Sequence, residues 1–322
     1  QWRHVDDHAL WVDPDNTQHL YIGGDGGIYE SWDRGSTWRH LRNLSITQFY
    51  RIQPDYNEPF YNVCGGTQDN NSLCGPSRTT NVHGITNSDW KVVLGGDGYE
   101  PQFDPTDPNV VYAQYQYGGL VRYDRQTQER VYIVPHPEKD ENNYKWNWNT
   151  PLLVSPHNPK RLYYASEYLF RSDDRGDSWR KISLDLTRQI DRNKLEVMGR
   201  VWSVDTIAKN DSTSMFGSAI MISESELQEG LIYVGTDDGV LNITEDGGQS
   251  WTQTTRFSGV PDMTYIDDVQ ASLHDKNTVY AVMENHKRGD QKPYVLKSTN
   301  KGKTWKSIAG NLPKRGFAHS IA

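Results

Sequence analysis

The sequence predicts an all-β protein, a β-propeller of four-stranded antiparallel blades. Three observations point there. An octet of the form Ser/Thr-x-Asp-x-Gly-x-Ser/Thr-Trp recurs four times. A turn, most often rich in Pro, Asp and Asn, followed by a short apolar-aromatic run recurs six times, at a period of roughly fifty residues, the length of one four-stranded blade. The 322 residues are only 35% hydrophobic yet 11% aromatic, which excludes a disordered chain and implies a thin, layered core. Six recognisable repeats give six or seven blades, with one insertion, in a single domain over residues 1–322.

The repeats follow in order along the chain. Asp13-Pro14-Asp15-Asn16 precedes the run Leu20–Ile22, and the octet Ser31–Trp38 closes that repeat. Gln53-Pro54-Asp55 precedes Phe60–Val63, and Asp104–Pro108 precedes Val110–Ala113. These two repeats lack the octet, the third carrying Gly118–Asp124 in its place. Ser155–Pro159 leads into Leu162–Ala165 and the octet Ser172–Trp179. Between the fourth and fifth repeats the segment Asp185–Leu195 reads as a short helix inside an insertion. Leu227–Gly230 then leads into Leu231–Val234 and the octet Thr244–Trp251, and Ser272–Asp275 into Val279–Val282 and the octet Ser298–Trp305. Arg315–Ala322 reads as the first strand of a further blade. With Gln rather than Met at the start, the chain is expected to be a piece of a longer one.

Each octet position has a task in a hairpin turn. The carboxylates of Asp33, Asp174 and Asp246, with Asn300 standing in the fourth copy, accept turn N–H groups, and the glycine takes a positive φ that other residues resist. The octet resembles the Asp-box of sialidases, sortilin-type receptor propellers and the xyloglucan hydrolases of glycoside hydrolase family 74. Over most of its length the chain resembles bacterial Asp-box or sortilin-like glycosyl hydrolase repeat proteins. In such propellers these turns sit at the outer edge, so the resemblance makes the four residues structural rather than catalytic.

Composition removes several function classes. The formal net charge is −8 and the pI about 5.7, which argues against a nucleic-acid partner. The sequence has no run of eighteen apolar residues and no basic-then-apolar start, so neither a membrane span nor a signal peptide is expected. Cys64 and Cys74 flank a Gly/Asn-rich stretch that a hairpin can close, giving a disulfide and an oxidising compartment (secreted, periplasmic or cell-surface), or else two buried or free thiols. Two cysteines alone make no zinc site.

The catalytic candidates lie where inner strands end over the channel. Gly23–Tyr29 centres on Asp25 and is similar to the glycine-flanked segment that carries one catalytic carboxylate in the family 74 hydrolases. Asp97 in Gly95–Glu100 and Asp238 in Gly235–Gly239 repeat the theme, since flanking glycines let a substrate approach an acid closely. Glycoside hydrolysis needs two carboxylates, and Asp25 with Asp97 or Asp238 would supply them. The alternative for each is a glycine turn whose Asp caps local N–H groups.

Trp146-Asn147-Trp148-Asn149 puts two indoles on one face of an extended stretch, suited either to sugar C–H surfaces or to packing between blades. Arg200 and Trp202 add a polar-aromatic cluster beside the insertion, and Tyr99, Gln68 and Asp69 complete the candidate substrate contacts. Phe49–Pro54 is similar to the sialidase Tyr/Phe-Arg-Ile-Pro motif, interrupted by Gln53; Arg51, Arg161 and Arg200 would be its carboxylate-gripping set. His4, Asp6 and His8 alternate onto one strand face, read as an ordinary polar strand rather than a metal site, and no cofactor is expected. Two functions follow: a secreted hydrolase of a polysaccharide, or a non-catalytic propeller that binds a glycan, peptide or protein.

Overall fold

The computed structural model describes residues 3–4, 6–44, 46–211 and 213–321. Among them the chain forms six four-stranded antiparallel sheets, the blades of a β-propeller. Blade one is β1 (Asp7–Val12), β2 (Leu20–Gly24), β3 (Gly27–Ser31) and β4 (Arg39–His40); blade two is β5 (Arg51–Pro54), β6 (Asn62–Gly66), β7 (Ser72–Pro76) and β8 (Lys91–Leu94). Blade three is β9 (Gln102–Asp104), β10 (Asp107–Tyr115), β11 (Gly119–Asp124) and β12 (Arg130–Tyr132); blade four is β13 (Leu152–Val154), β14 (Leu162–Ala165), β15 (Leu169–Ser172) and β16 (Arg180–Lys181). A small hairpin, β17 (Glu196–Val197) with β18 (Arg200–Val201), belongs to the insertion. Blade five is β19 (Ala219–Glu224), β20 (Ile232–Thr236), β21 (Leu241–Thr244) and β22 (Thr252–Thr254); blade six is β23 (Tyr265–Ala271), β24 (Val279–Asn285), β25 (Asp290–Ser298) and β26 (Lys306–Ser307).

The short apolar runs become the second strand of each blade because both of their faces are covered. In β14, Leu162 and Tyr164 pack toward blade three while Tyr163 and Ala165 pack toward blade five. In β20, Ile232 and Val234 face blade four, and Leu231, just ahead of the strand, packs with Tyr233 toward blade six. A strand buried on both faces loses the usual alternation of apolar with polar residues. The core is laminated accordingly, with one cluster between each adjacent pair from blade two to blade six. Blade one joins none of these clusters, and every residue of β1 is exposed.

The octets turn β3, β15, β21 and β25 into their outer strands with one geometry. The first hydroxyl accepts the glycine N–H, at 2.8 Å in Ser31–Gly35 and Ser172–Gly176 and 2.9 Å in Thr244–Gly248. Asp174 accepts the Ser178 N–H at 2.9 Å and its hydroxyl at 2.5 Å, and Asp246 does the same with Ser250. Asn300 reproduces the pattern with Thr304, accepting its N–H and donating from its amide. The residue ahead of each glycine is also left-handed, including Arg34, Arg175 and Lys301.

Three sequence expectations are corrected. Asp185–Leu195 forms no α-helix; it is extended, with a three-residue turn at Arg192–Lys194, because the backbone N–H of Arg188 is drawn to Asp238 in blade five. The run Phe60–Val63 begins its strand only at Asn62, and Phe60 and Tyr61 are exposed. Residues 315–321 lie beside β23 without joining a ladder, held by contacts such as the Ile321 N–H on Asp268. Among the described residues no helix is long and apolar enough to cross a membrane.

Candidate functional site

In an antiparallel four-stranded blade, successive turns alternate between the two ends. The octets share one end with the turns between first and second strands. The opposite end collects the β2–β3, β6–β7, β20–β21 and β24–β25 hairpins together with the segments that link blades. Those hairpins and links carry the predicted acids.

Cys64 and Cys74 are register partners on β6 and β7, joined as a disulfide with Cα atoms 4.1 Å apart. This fixes the base of a hairpin whose tip is knitted to the 95–101 link. Asn71 donates its N–H to the Gly96 carbonyl and Gly98 its N–H to the Thr67 carbonyl. The approach is so close that a Cβ on Gly66 would lie 2.2 Å from the backbone of Gly98 and Tyr99. Asp69 is held at the tip with a left-handed backbone, φ 59°, and its N–H donates to Asp97 Oδ1 at 2.9 Å.

The Asp69 carboxyl meets that of Asp25 from the β2–β3 hairpin. Hydrogen bonding to Asp25, with burial and the Asp97 charge, pushes Asp69 up to about 6. The same contact and His8, whose Nε2 lies 2.6 Å from Asp25 Oδ1, hold Asp25 below the usual carboxylate range. Like charges in contact cannot both ionise cheaply, so one proton is shared. Asn70 bridges the hairpins by donating to the Asp25 carbonyl at 3.0 Å. Asp97 serves as the acceptor that orients Asp69.

Beside this pair opens a cavity of about 590 Å³ over the channel, lined among others by Tyr50, Gln68, Trp148, Asn149, Asp237 and Tyr265. Tyr50 donates to Gln68 Oε1 at 2.7 Å, and the charges of Asp97, Asp69 and Asp25 help to raise its hydroxyl pKa. Trp148 stands edge-on to Tyr117 with centroids 5.0 Å apart. The buried Asn149 Oδ1 has no hydrogen-bond partner and is free to meet a hydroxyl.

Asp237 lies at the Tyr265 end of the cavity. Burial pushes its carboxyl up to about 7 despite three donors. Its Oδ1 accepts the Gly217 and Ser218 N–H groups, while Oδ2 meets only the Ser218 hydroxyl, at 3.2 Å.

The predicted residues therefore separate into groups. Asp25, Asp97, Gln68 and Asp69 come together, with Trp148 and Asn149 on the same cavity. Asp238 does not join them: fully buried, it accepts the Thr236 hydroxyl and the Arg188 N–H. Its neighbour Asp237, missed in the sequence, takes the cavity side, and strand alternation from Gly235 was the only signal for it. Trp146 packs into blade four against Tyr164 and Phe170. Tyr99 is half-buried, edge-on to Tyr50, and desolvation pushes its hydroxyl up to about 12. Arg200 stacks on Trp202 out in the exposed insertion. The three arginines form no common grip, because Arg161 is occupied by Asp173 and Glu229. His4, Asp6 and His8 share no strand face, since β1 begins at Asp7 and Asp6 is left-handed, φ 62°.

Superposed on solved structures, the chain matches an ancestral GH74 enzyme with a TM-score of 0.53 and 12% identity, covering 94% of this chain and 38% of that one. The likeness is one of fold, a β-propeller. In sequence this propeller is 24% identical over 266 residues to the xyloglucanase Xgh74A of Acetivibrio thermocellus, covering 71% of the chain and 28% of that protein. A xyloglucanase of a Paenibacillus species is 22% identical over 269 residues, covering 70% and 23%. The propeller thus spans about a quarter of the length of these relatives. No protein-family model matches it.

Proposed function

We propose that this propeller is a carbohydrate-active module that hydrolyses glycosidic bonds in a polysaccharide, with xyloglucan as the first substrate to test. One observation carries the reading: of two carboxyl groups of opposed protonation, Asp237 lines one aromatic, amide-lined cavity and Asp25 stands behind the Tyr50 and Gln68 wall of it, close enough for its charge to act on Tyr50. Asp25 is kept ionised by Asp69 and His8, whereas Asp237 is kept protonated toward neutral pH by burial. Environments that push two carboxyl groups apart assign the acid and the base. Asp237 donates its proton from Oδ2 to the leaving oxygen as the glycosidic C–O bond breaks, and Asp25 acts from the other side, either as base for the water that adds to the anomeric carbon or as a nucleophile whose ester that water then hydrolyses. Asp69 positions Asp25 and holds its charge, and Trp148 packs on the sugar face while Gln68 and Asn149 meet hydroxyls.

The similarity to two xyloglucanases supports the substrate class. The Cys64–Cys74 disulfide supports an extracytoplasmic setting. The non-catalytic alternative requires every acid on this face to be capped by local donors. Asp238 is capped, by the local Thr236 hydroxyl and by the Arg188 N–H from the preceding link, whereas Asp25 and Asp69 face one another.

Hydrolysis of xyloglucan, xylan and sialosides by the wild type, Asp25→Asn and Asp237→Asn, at matched folded concentration, tests the proposal. Turnover that both substitutions remove establishes the pair. Tight polysaccharide binding with no turnover on any substrate replaces it with the binding reading.

A further inference from the structure

Blade six carries a second cluster of polar groups that the proposed hydrolysis does not use. Asp267 on β23, Glu284 on β24 and His319 from the segment 315–321 each offer one donor atom within 4.8 Å of the other two. They come from three separate stretches of chain, so local turn chemistry does not explain their convergence. Glu284 and Asp267 have side chains only 5% and 10% exposed, while His319 is open at 61%.

The two buried carboxylates are left unsatisfied. Asp267 Oδ2 and Glu284 Oε2 have no hydrogen-bond partner. A histidine stands against each, His319 Nδ1 2.5 Å from the first and His286 Nδ1 3.0 Å from the second, as ion pairs when the imidazoles are protonated. An unsatisfied buried acceptor costs free energy unless something else fills its lone pair. Two carboxylate oxygens and one imidazole nitrogen are a donor set for zinc. Calcium, by contrast, prefers an all-oxygen shell. The segment is steered there independently, because His286 stacks on Phe317 with ring centroids 4.5 Å apart.

We propose that Asp267, Glu284 and His319 form a zinc site that fastens residues 317–321 to blade six at the edge of the channel cavity. Water completes the tetrahedral shell from the open side of His319. Glu284 also lines the cavity, so the bound cation removes a negative charge from that wall.

The test is calorimetric titration of the metal-stripped full chain with zinc chloride. One zinc per chain is expected, with affinity lowered by about tenfold or more in His319→Ala and in Asp267→Asn, and unchanged in Asp6→Asn. His319 is exposed, so its variant retains the fold, which circular dichroism checks. Cobalt in place of zinc should give a visible absorption band that His319→Ala alters. Absence of stoichiometric zinc binding overturns the proposal, as does affinity indifferent to both ligand substitutions. Manganese or calcium bound in preference overturns the zinc assignment. Zinc lost in Asp6→Asn and retained in His319→Ala moves the metal to Asp6, Asp25 and Asp69, whose carboxylate oxygens also lie within 4.8 Å of one another, and likewise overturns it.

Discussion

The two ends of the propeller use aspartate in hairpin turns to opposite effect. At the octet end each carboxylate is wrapped by donors from its own turn, and the Ser250 hydroxyl and amide hold Asp246 down to about 2. At the cavity end the acids meet other acids or a dry wall, and Asp69 and Asp237 rise to about 6 and about 7. The difference lies in what the rest of the fold brings to the turn. An aspartate that finds its donors within four residues is a structural clip; one whose partner arrives from another blade holds a proton that chemistry can use.

The largest test of that contrast is catalytic. Asp25→Asn or Asp237→Asn should lower kcat/KM on xyloglucan by about 10²–10⁴-fold, whereas Asp174→Asn, in an octet, should leave it within about twofold. Initial-rate kinetics at matched folded concentration decide. Next comes the clamp under the cavity hairpin: Cys74→Ser should cost about 2–3 kcal/mol in urea unfolding, from the loss of a cross-link over a ten-residue separation. At the octet end, Gly176→Ala should cost about 1–3 kcal/mol, because φ is +89° there and a Cβ would meet Ile133 at 2.5 Å. Activity per folded molecule should survive that change.

The pH predictions are smaller and run in opposite senses. Hydrolysis should fall as pH rises through about 7, where Asp237 loses its proton, and Asp69→Ala should move the acidic limb of the profile upward by releasing Asp25. For stability, the raised Asp237 contributes fully below the unfolded carboxylate range and loses that contribution as pH climbs through about 7. The lowered Asp246 contributes above that range and loses it as pH falls through about 2. Asp246→Asn should therefore flatten the loss of stability between about pH 4 and 2, leaving that octet like the natural Asn300 one. Acid titration followed by fluorescence measures the slope.

Much of the fold was legible because its instructions are local. The octets state their own turns, and the apolar runs state the second strands. What failed was non-local. Asp185–Leu195 has a helix-like pattern, but Asp238 captures the Arg188 N–H across to blade five. The site was half legible. Asp25 stood out by its glycines and its resemblance, and Asp97 by repetition. Asp238 was chosen over Asp237 because both sit in one glycine turn and only strand parity separates them. Trp146 and Trp148 were expected together, yet the turn at Asn147, whose Oδ1 accepts the Asn149 N–H, sends one indole into blade four and the other to the cavity.

Two octet tryptophans also couple blades three, four and five in series. Trp179 gives its indole N–H to the Ile133 carbonyl at 2.6 Å, and Trp251 to the Ile182 carbonyl at 3.1 Å, each acceptor lying in the link that follows the preceding blade. Every such latch needs its neighbour already in place, which makes the ring behave as a one-dimensional array with nearest-neighbour coupling. Amide exchange should then slow progressively inward, with the strands of blade four, clasped from both sides, the last to release their protons.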